Sequence, residues 1–266
     1  MKDNAVKQAI KSVFFPDGAV RRIALGPCAG MKYRVSKMTG LSPWYSGAEK
    51  HMHGAFRQLV NTGDTVMDVG ANWGLHTLYL SRLVGPTGAV IAVEPFGPVA
   101  AELEWHIQTN KCTNTKVYRL ALSSEDGFAE FTPGDRASKG HLTSLSNEED
   151  VDVAQAHSKS RVQTKRLDSL VKELSLTKLK LIKLDVEGAE SLILEGARET
   201  MRKFRPILVI ELHTSQQDVK VAKLVCDEHY TLRRLSHGPP IRKLDRGWPE
   251  QDGVWGTILG EHNGLD

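Results

Sequence analysis

The chain has 266 residues, which at roughly 100–200 residues per domain makes one large domain or two small ones. Its apolar share of 40% and charged share of 25% are ordinary for a soluble globular protein, and 23 glycines with 11 prolines exclude a collagen-like or low-complexity chain. A formal charge of +3 is only mildly basic, unlike the dense basic clusters of most nucleic-acid binders. Cys28, Cys112 and Cys226 are widely spaced, with no CxxC or Cys/His ligand spacing. They are expected to be small buried hydrophobes in a reducing cytoplasm rather than a disulfide framework or zinc site. No apolar run approaches the roughly 18 residues of a membrane span. Near the N-terminus the only apolar run is Val13-Phe14-Phe15, where a secretory signal needs about 7–15 residues.

Residues 1–50 show weak periodicity and Gly/Pro punctuation, with one strand-like stretch from Met31 to Val35, and read as an N-terminal extension. The main domain is expected over 51–266. A helix is expected from Ala48 to about Val60, its stripe of Phe56, Leu59 and Val60 ending before Gly63. His51 and His53, two apart on it, point to different faces and make a poor metal pair. From residue 64 the pattern becomes strand, turn, helix. Thr65–Val69 is a short buried strand, followed by a glycine turn and a helix carrying Leu75, Leu78, Tyr79 and Leu83. Ala89–Val93 is a second strand ending at Glu94, then come a helix over Val99–Asn110 and a strand over Val117–Leu122. Further on, a strand over Leu179–Leu184, one helix over Ala189–Phe204 and a strand over Ile207–Leu212 are expected. This alternation means a parallel sheet covered on both faces, with ligands at the C-terminal edge of its strands. Tyr230–Leu235 and Val254–Leu259 read as an antiparallel pair ending the sheet. Pro133–Arg161, polar and too long for a plain connection, reads either as a mobile cover over an acceptor site or as a solvated insertion.

Chemistry concentrates in Asp68-Val69-Gly70-Ala71-Asn72-Trp73-Gly74, where the first strand meets its helix. A dinucleotide turn would read G-x-G-x-x-G; here the spacing is G-x-x-x-G, with an acid before the first glycine. That carboxylate opposes a pyrophosphate and suits an ammonium or sulfonium group. Glu94, twenty residues after Gly74, stands where an acid accepts both hydroxyls of a ribose. A ribose joined to a cationic amino acid, without a phosphate cradle, describes S-adenosylmethionine.

The run Asp68 to Thr77, then Val93-Glu94-Pro95, then Ala121-Leu122-Ser123 with Gly127, resembles the FkbM family of S-adenosylmethionine-dependent methyltransferases. So do Leu167-Asp168, the run Ile182-Lys183-Leu184-Asp185-Val186-Glu187-Gly188-Ala189-Glu190, Gly196-Ala197 and Arg205-Pro206, which extend the likeness over about residues 60–213. The resemblance implies an α/β, Rossmann-like, seven-stranded methyltransferase fold, mostly parallel with the antiparallel C-terminal pair, and O-methylation of a sugar or small-molecule hydroxyl. It implies that Asp68, Gly70, Asn72, Gly74, Thr77, Glu94, Ala121 and Asp185 bind the cofactor. The sequence has His106 where the family often has Asn, and this side chain is expected on the helix surface or in solvent.

Asp185 and His213 end neighbouring strands at the ligand edge and are the candidates for handling the acceptor proton. Glu187 and Glu190 follow Asp185 near a helix start, where acids also serve as caps. A divalent metal bridging Asp185 and Glu211 is conceivable but not expected. A nucleic-acid acceptor is disfavoured: Gly238-Pro239-Pro240-Ile241 is not the N-P-P-Y type of base-flipping motif, and no appended RNA-binding module shows. A NAD-dependent dehydrogenase and a non-catalytic cofactor-binding protein are the other readings. The expected partner is a small-molecule or sugar acceptor, with a homodimer left open. Acceptor pockets should come from the patternless segments Met1–Lys50, Pro133–Arg161 and Ser236–Gly253.

Overall fold

The computed structural model describes residues 16–36, 50–133, 140–146, 160–213, 215–235 and 256–264. A short antiparallel hairpin, β1 (Val20–Arg22) and β2 (Lys32–Arg34), precedes helix α1 (Lys50–Leu59). Next come β3 (Thr65–Val69), α2 (Leu75–Val84), β4 (Ala89–Val93), α3 (Gly97–Thr109) and β5 (Thr115–Tyr118). The chain continues through β6 (Ala121–Leu122), β7 (Gly127–Pro133), β8 (Gly140–Ser146) and β9 (Ser160–Lys165). Helix α4 (Leu167–Glu173), β10 (Leu181–Leu184), α5 (Glu190–Glu195), α6 (Arg198–Phe204) and β11 (Ile207–Leu212) follow. Helix α7 (Ser215–Asp227), β12 (Tyr230–Arg234) and β13 (Gly256–His262) complete the described chain.

Among the described residues the main sheet has seven strands, in the order β12-β13-β11-β10-β3-β4-β5. Its β11, β10, β3, β4 and β5 pair in parallel, while β13 inserts antiparallel between β11 and β12. The central strands alternate between two apolar layers, as the two-residue period of a strand requires. Met67, Val69, Ile182, Leu184, Leu208 and Ile210 face one buried cluster, with Ile193, Met201 and Val221 from α5, α6 and α7. Val66, Val90, Ala92, Leu181 and Val209 face the other, with Phe56, Leu78, Leu80 and Leu103 from α1, α2 and α3. Such burial on both faces explains why these strands read as nearly continuous apolar runs.

Several elements differ from the sequence reading. The expected strand over Val117–Leu122 breaks, so that β5 ends the main sheet and β6 pairs with β9 in a second, four-stranded sheet, β6-β9-β7-β8. Within Pro133–Arg161, β8 is a strand paired antiparallel with β7, so this part is built into a sheet; residues 134–139 and 147–159 lie outside the described residues. The expected helix over Ala189–Phe204 is two helices. Gly196 sits so close to Ser123 that a Cβ there would fall 2.2 Å from its carbonyl oxygen. Buried Asp168 then starts α6 by accepting the backbone N–H groups of Thr200 at 2.8 Å and Glu199 at 3.2 Å, which replaces a helical turn with a cap.

The N-terminal hairpin contributes Ile23, Cys28, Tyr33 and Val35 to the same apolar layer as α2 and α3. His106, expected at the surface, is fully buried. Its ring stacks on Tyr33 at 3.9 Å between centroids, and its Nε2 accepts the Arg34 backbone N–H at 2.9 Å. Burial pushes its pKa down to about 4, so the ring is neutral and serves as a hydrogen-bonding core residue. His53 is likewise buried, beside the rings of His76 and Tyr79, while the His51 side chain lies outside the described residues.

Candidate active site

The glycine turn follows β3 with a backbone that ordinary residues resist. Gly70, Asn72 and Gly74 have φ of 71°, 51° and 87°. Gly70 is a close-approach position as well: a Cβ would lie 1.9 Å from the Asp185 carbonyl oxygen. Asn72 tolerates its left-handed backbone by accepting the Trp73 N–H on Oδ1 at 2.8 Å. The N–H groups of Gly70 and Ala71 both reach the Val93 carbonyl, tying the turn to the end of β4.

Glu94 stands at that end and is buried. Its Oε2 accepts the Asn72 N–H at 2.9 Å and its Oε1 the Phe96 N–H at 3.0 Å. Burial nevertheless pushes its carboxyl up to about 7, the two backbone bonds only partly opposing the shift. Ala121, at the start of β6, lies with Phe96, Val99, Phe131 and Val162 in an apolar cluster against which Trp73 packs. The Trp73 indole Nε1 is buried with no hydrogen-bond partner among the described residues.

Asp68 and Lys183 face each other in register on β3 and β10. Both are buried, and Lys183 Nζ lies 3.2 Å from Asp68 Oδ1 and 3.3 Å from Asp185 Oδ2 while donating to the Gly70 carbonyl at 2.9 Å. Thr77, in the first turn of α2, donates its hydroxyl to Asp68 Oδ2 at 2.6 Å. The Asp68 charge is therefore met inside the protein. Lys183 is a site residue that the sequence reading leaves without a role, although a lone charge between Ile182 and Leu184 in a buried strand is a visible signal.

Asp185 follows β10, and His213 follows β11 on the neighbouring strand. His213 Nε2 is 3.4 Å from Asp185 Oδ1 and 3.7 Å from Glu187 Oε2. On the other side of the ring, Nδ1 lies 2.9 Å from Oε1 of buried Glu190, which also accepts the backbone N–H groups of Val186 and Gly188. Glu190 thus acts partly as the cap its position suggests and partly as a buttress for the imidazole. Burial opposes charge on His213, but the bonds to Asp185 and Glu190 outweigh it and raise its pKa to about 10. Burial likewise opposes ionisation of Asp185, and the Lys183 ammonium with His213 outweighs it, holding this carboxyl well below the usual range. With no cation between them, this favours an imidazolium against a carboxylate.

The structure thus links Asp68, Gly70, Asn72, Gly74, Thr77, Glu94, Asp185 and His213 along one edge of the sheet, and joins Ala121 to it through Phe96. The segments 1–15, 37–49 and 236–255, including Pro239-Pro240, lie outside the described residues.

Among solved structures, the fold is similar to that of a Clostridium thermocellum protein named for rRNA methylation, with a TM-score of 0.50, 11% identity, and coverage of 80% of this chain and 93% of that one. In sequence, the chain is 24% identical over 194 residues to Methyltransferase 1 of Beauveria bassiana, covering 67% of this chain and 78% of that protein. It is 27% identical over 154 residues to the 2-O-methyltransferase NoeI of Sinorhizobium fredii, covering 53% of this chain and 60% of that relative. Residues 68–237, running from the carboxylate of the glycine turn past the last parallel strand, match the Methyltransferase FkbM domain, and the chain belongs to that family of methyltransferases.

Proposed function

We propose that this methyltransferase takes its methyl group from S-adenosylmethionine and places it on a hydroxyl oxygen of a sugar or small natural-product acceptor. The observation that carries the reading is Glu94, a buried carboxylate bonded to the glycine turn at the end of β4. Each of its oxygens holds one backbone N–H and keeps a lone pair for a ribose hydroxyl. Beside it, Phe96, Ala121 and Trp73 provide an apolar wall for a base, with the Trp73 Nε1 as a buried donor. The residues present fit this cofactor. When bound, it supplies a methyl group on a sulfonium, so the leaving group is already good.

The protein's work is to align the acceptor and take its proton. Asp185 stays ionised and accepts the hydrogen of the acceptor hydroxyl, while His213 and Lys183 hold its two oxygens in place. A depressed carboxylate is base enough, because an alcohol oxygen that has just gained a methyl group is a strong acid. The name of the Sinorhizobium relative, a 2-O-methyltransferase, supports oxygen as the methylated atom. A nucleic-acid acceptor fits less well: Asp185, Glu187, Glu190 and Glu211 gather at this edge and would repel phosphates. The unpaired thiols Cys28, Cys112 and Cys226 suit a reducing compartment such as the cytoplasm. Asp185→Asn is expected to lower kcat far more than affinity for S-adenosylhomocysteine; an equal loss of both would remove Asp185 from the acceptor chemistry.

A further inference from the structure

We propose that the ends of β10 and β11 form a site for a divalent transition-metal ion, with Asp185, Glu211 and His213 as its protein ligands. One donor atom from each of the three lies within 4.8 Å of the other two. The sequence Glu211-Leu212-His213 builds this locally: Leu212 is buried in the core, so the residues on either side of it share the opposite face. Sheet order then brings Asp185 alongside, with Oδ1 at 3.4 Å from His213 Nε2, while Lys183 engages the other oxygen.

An independent feature points the same way. Glu190, 1% exposed, takes the Nδ1 side of the ring and is itself fixed by two backbone N–H groups. That arrangement leaves Nε2 on the side of Asp185 and Glu187, at 3.4 and 3.7 Å, and a buried carboxylate on the far ring nitrogen is how proteins orient a metal-ligating histidine. An imidazole among carboxylates favours Mn²⁺ or Zn²⁺ over Mg²⁺, which prefers oxygen ligands and retains its waters. The inference rests on the reading of this edge as the acceptor side, where such an ion would bind the acceptor oxygen. The rival state is a proton on Nε2, an ion pair complete without metal.

The test uses full-length protein stripped with chelator and titrated with Mn²⁺, followed by the loss of the free-ion spin-resonance signal, with neither cofactor nor acceptor present. One saturable site per chain is expected. His213→Gln and Asp185→Asn should each weaken it at least about tenfold, and Glu190→Gln, which removes the carboxylate charge behind the ring, by about 10–100-fold. Circular dichroism melts confirm that each variant is folded, and the wild-type titration decides the question even if one is not. Absence of saturable Mn²⁺ and Zn²⁺ binding to the wild type into the millimolar range, or binding that survives both ligand substitutions, overturns the site. Mn²⁺ binding without any binding of S-adenosylhomocysteine would sustain the metal site and overturn the cofactor reading instead.

Discussion

The two halves of the candidate site are held by different means. On the cofactor side, Glu94 and the glycine turn are joined through backbone N–H groups, between residues at most 22 positions apart. On the acceptor side, Asp185, Glu190 and His213 are joined side chain to side chain, across a strand boundary. Lys183 connects the halves, touching Asp68, the Gly70 carbonyl and Asp185. The cofactor half therefore depends on the geometry of the turn backbone and on the single Glu94 carboxylate that it holds. A site of paired charges fails when one partner is removed, because the charge left behind stays buried.

The largest effect should come from breaking the connection between the halves. Lys183→Met leaves the Asp68 carboxylate buried without its counter-ion, and a loss of about 3–5 kcal/mol is expected in denaturant unfolding. Stability unchanged within error would mean that Asp68 needs no partner. Gly70→Ala combines a left-handed backbone, costing about 1–2 kcal/mol, with a clash against the Asp185 carbonyl costing about 1–3 kcal/mol. The melting temperature should drop accordingly and the acceptor half should be disturbed too.

Glu94→Ala tests the cofactor half by function. Losing charge-assisted bonds of roughly 1.5–3 kcal/mol each should weaken S-adenosylhomocysteine binding about ten- to a hundred-fold or more in calorimetry, with the fold intact. The same residue predicts a pH dependence. Its folded pKa of about 7 lies above the ordinary carboxyl value, so the folded state holds the proton more tightly than the unfolded chain. Its contribution to stability is therefore present at acid pH and is lost as pH rises through about 7. Ligand affinity should run the other way, falling about tenfold per unit below pH 7 as the acceptor lone pairs are protonated. Glu94→Gln should flatten both profiles, and a wild-type affinity that stays level from pH 5 to 8 would contradict them. The smallest effect is expected from Asn72→Gly. Relief of the left-handed backbone, about 1 kcal/mol, is offset by loss of the Asn72–Trp73 hydrogen bond, about 0.5–1.5 kcal/mol. Thermal unfolding should shift only slightly.

The same contrast separates what can be read along the chain from what cannot. The β3–α2–β4 unit is legible because its signals are local: a short apolar run, two glycines at a turn, and an acid at the next strand end. The burial of His106 is not, because its partner, the Tyr33 and Arg34 hairpin, lies some seventy positions away and shows little pattern of its own. The break of the long helix is hidden in the same way, since the carboxylate that caps the start of α6 is Asp168, some thirty positions earlier in the chain.

Sequence by itself determined the alternating fold, the glycine turn with Glu94 beyond it, and the family whose motifs these are. Each of those rests on periodicity or turn chemistry within a few residues. Only the tertiary structure decided that Asp68 is neutralised from within by Lys183, that Glu190 rather than solvent faces the His213 ring, and that Glu211 converges with them. A buried charge must be satisfied, but the sequence does not say by whom. The partner is set by strand order, which places β10 between β3 and β11 and lets Lys183 reach a carbonyl 113 positions earlier in the chain.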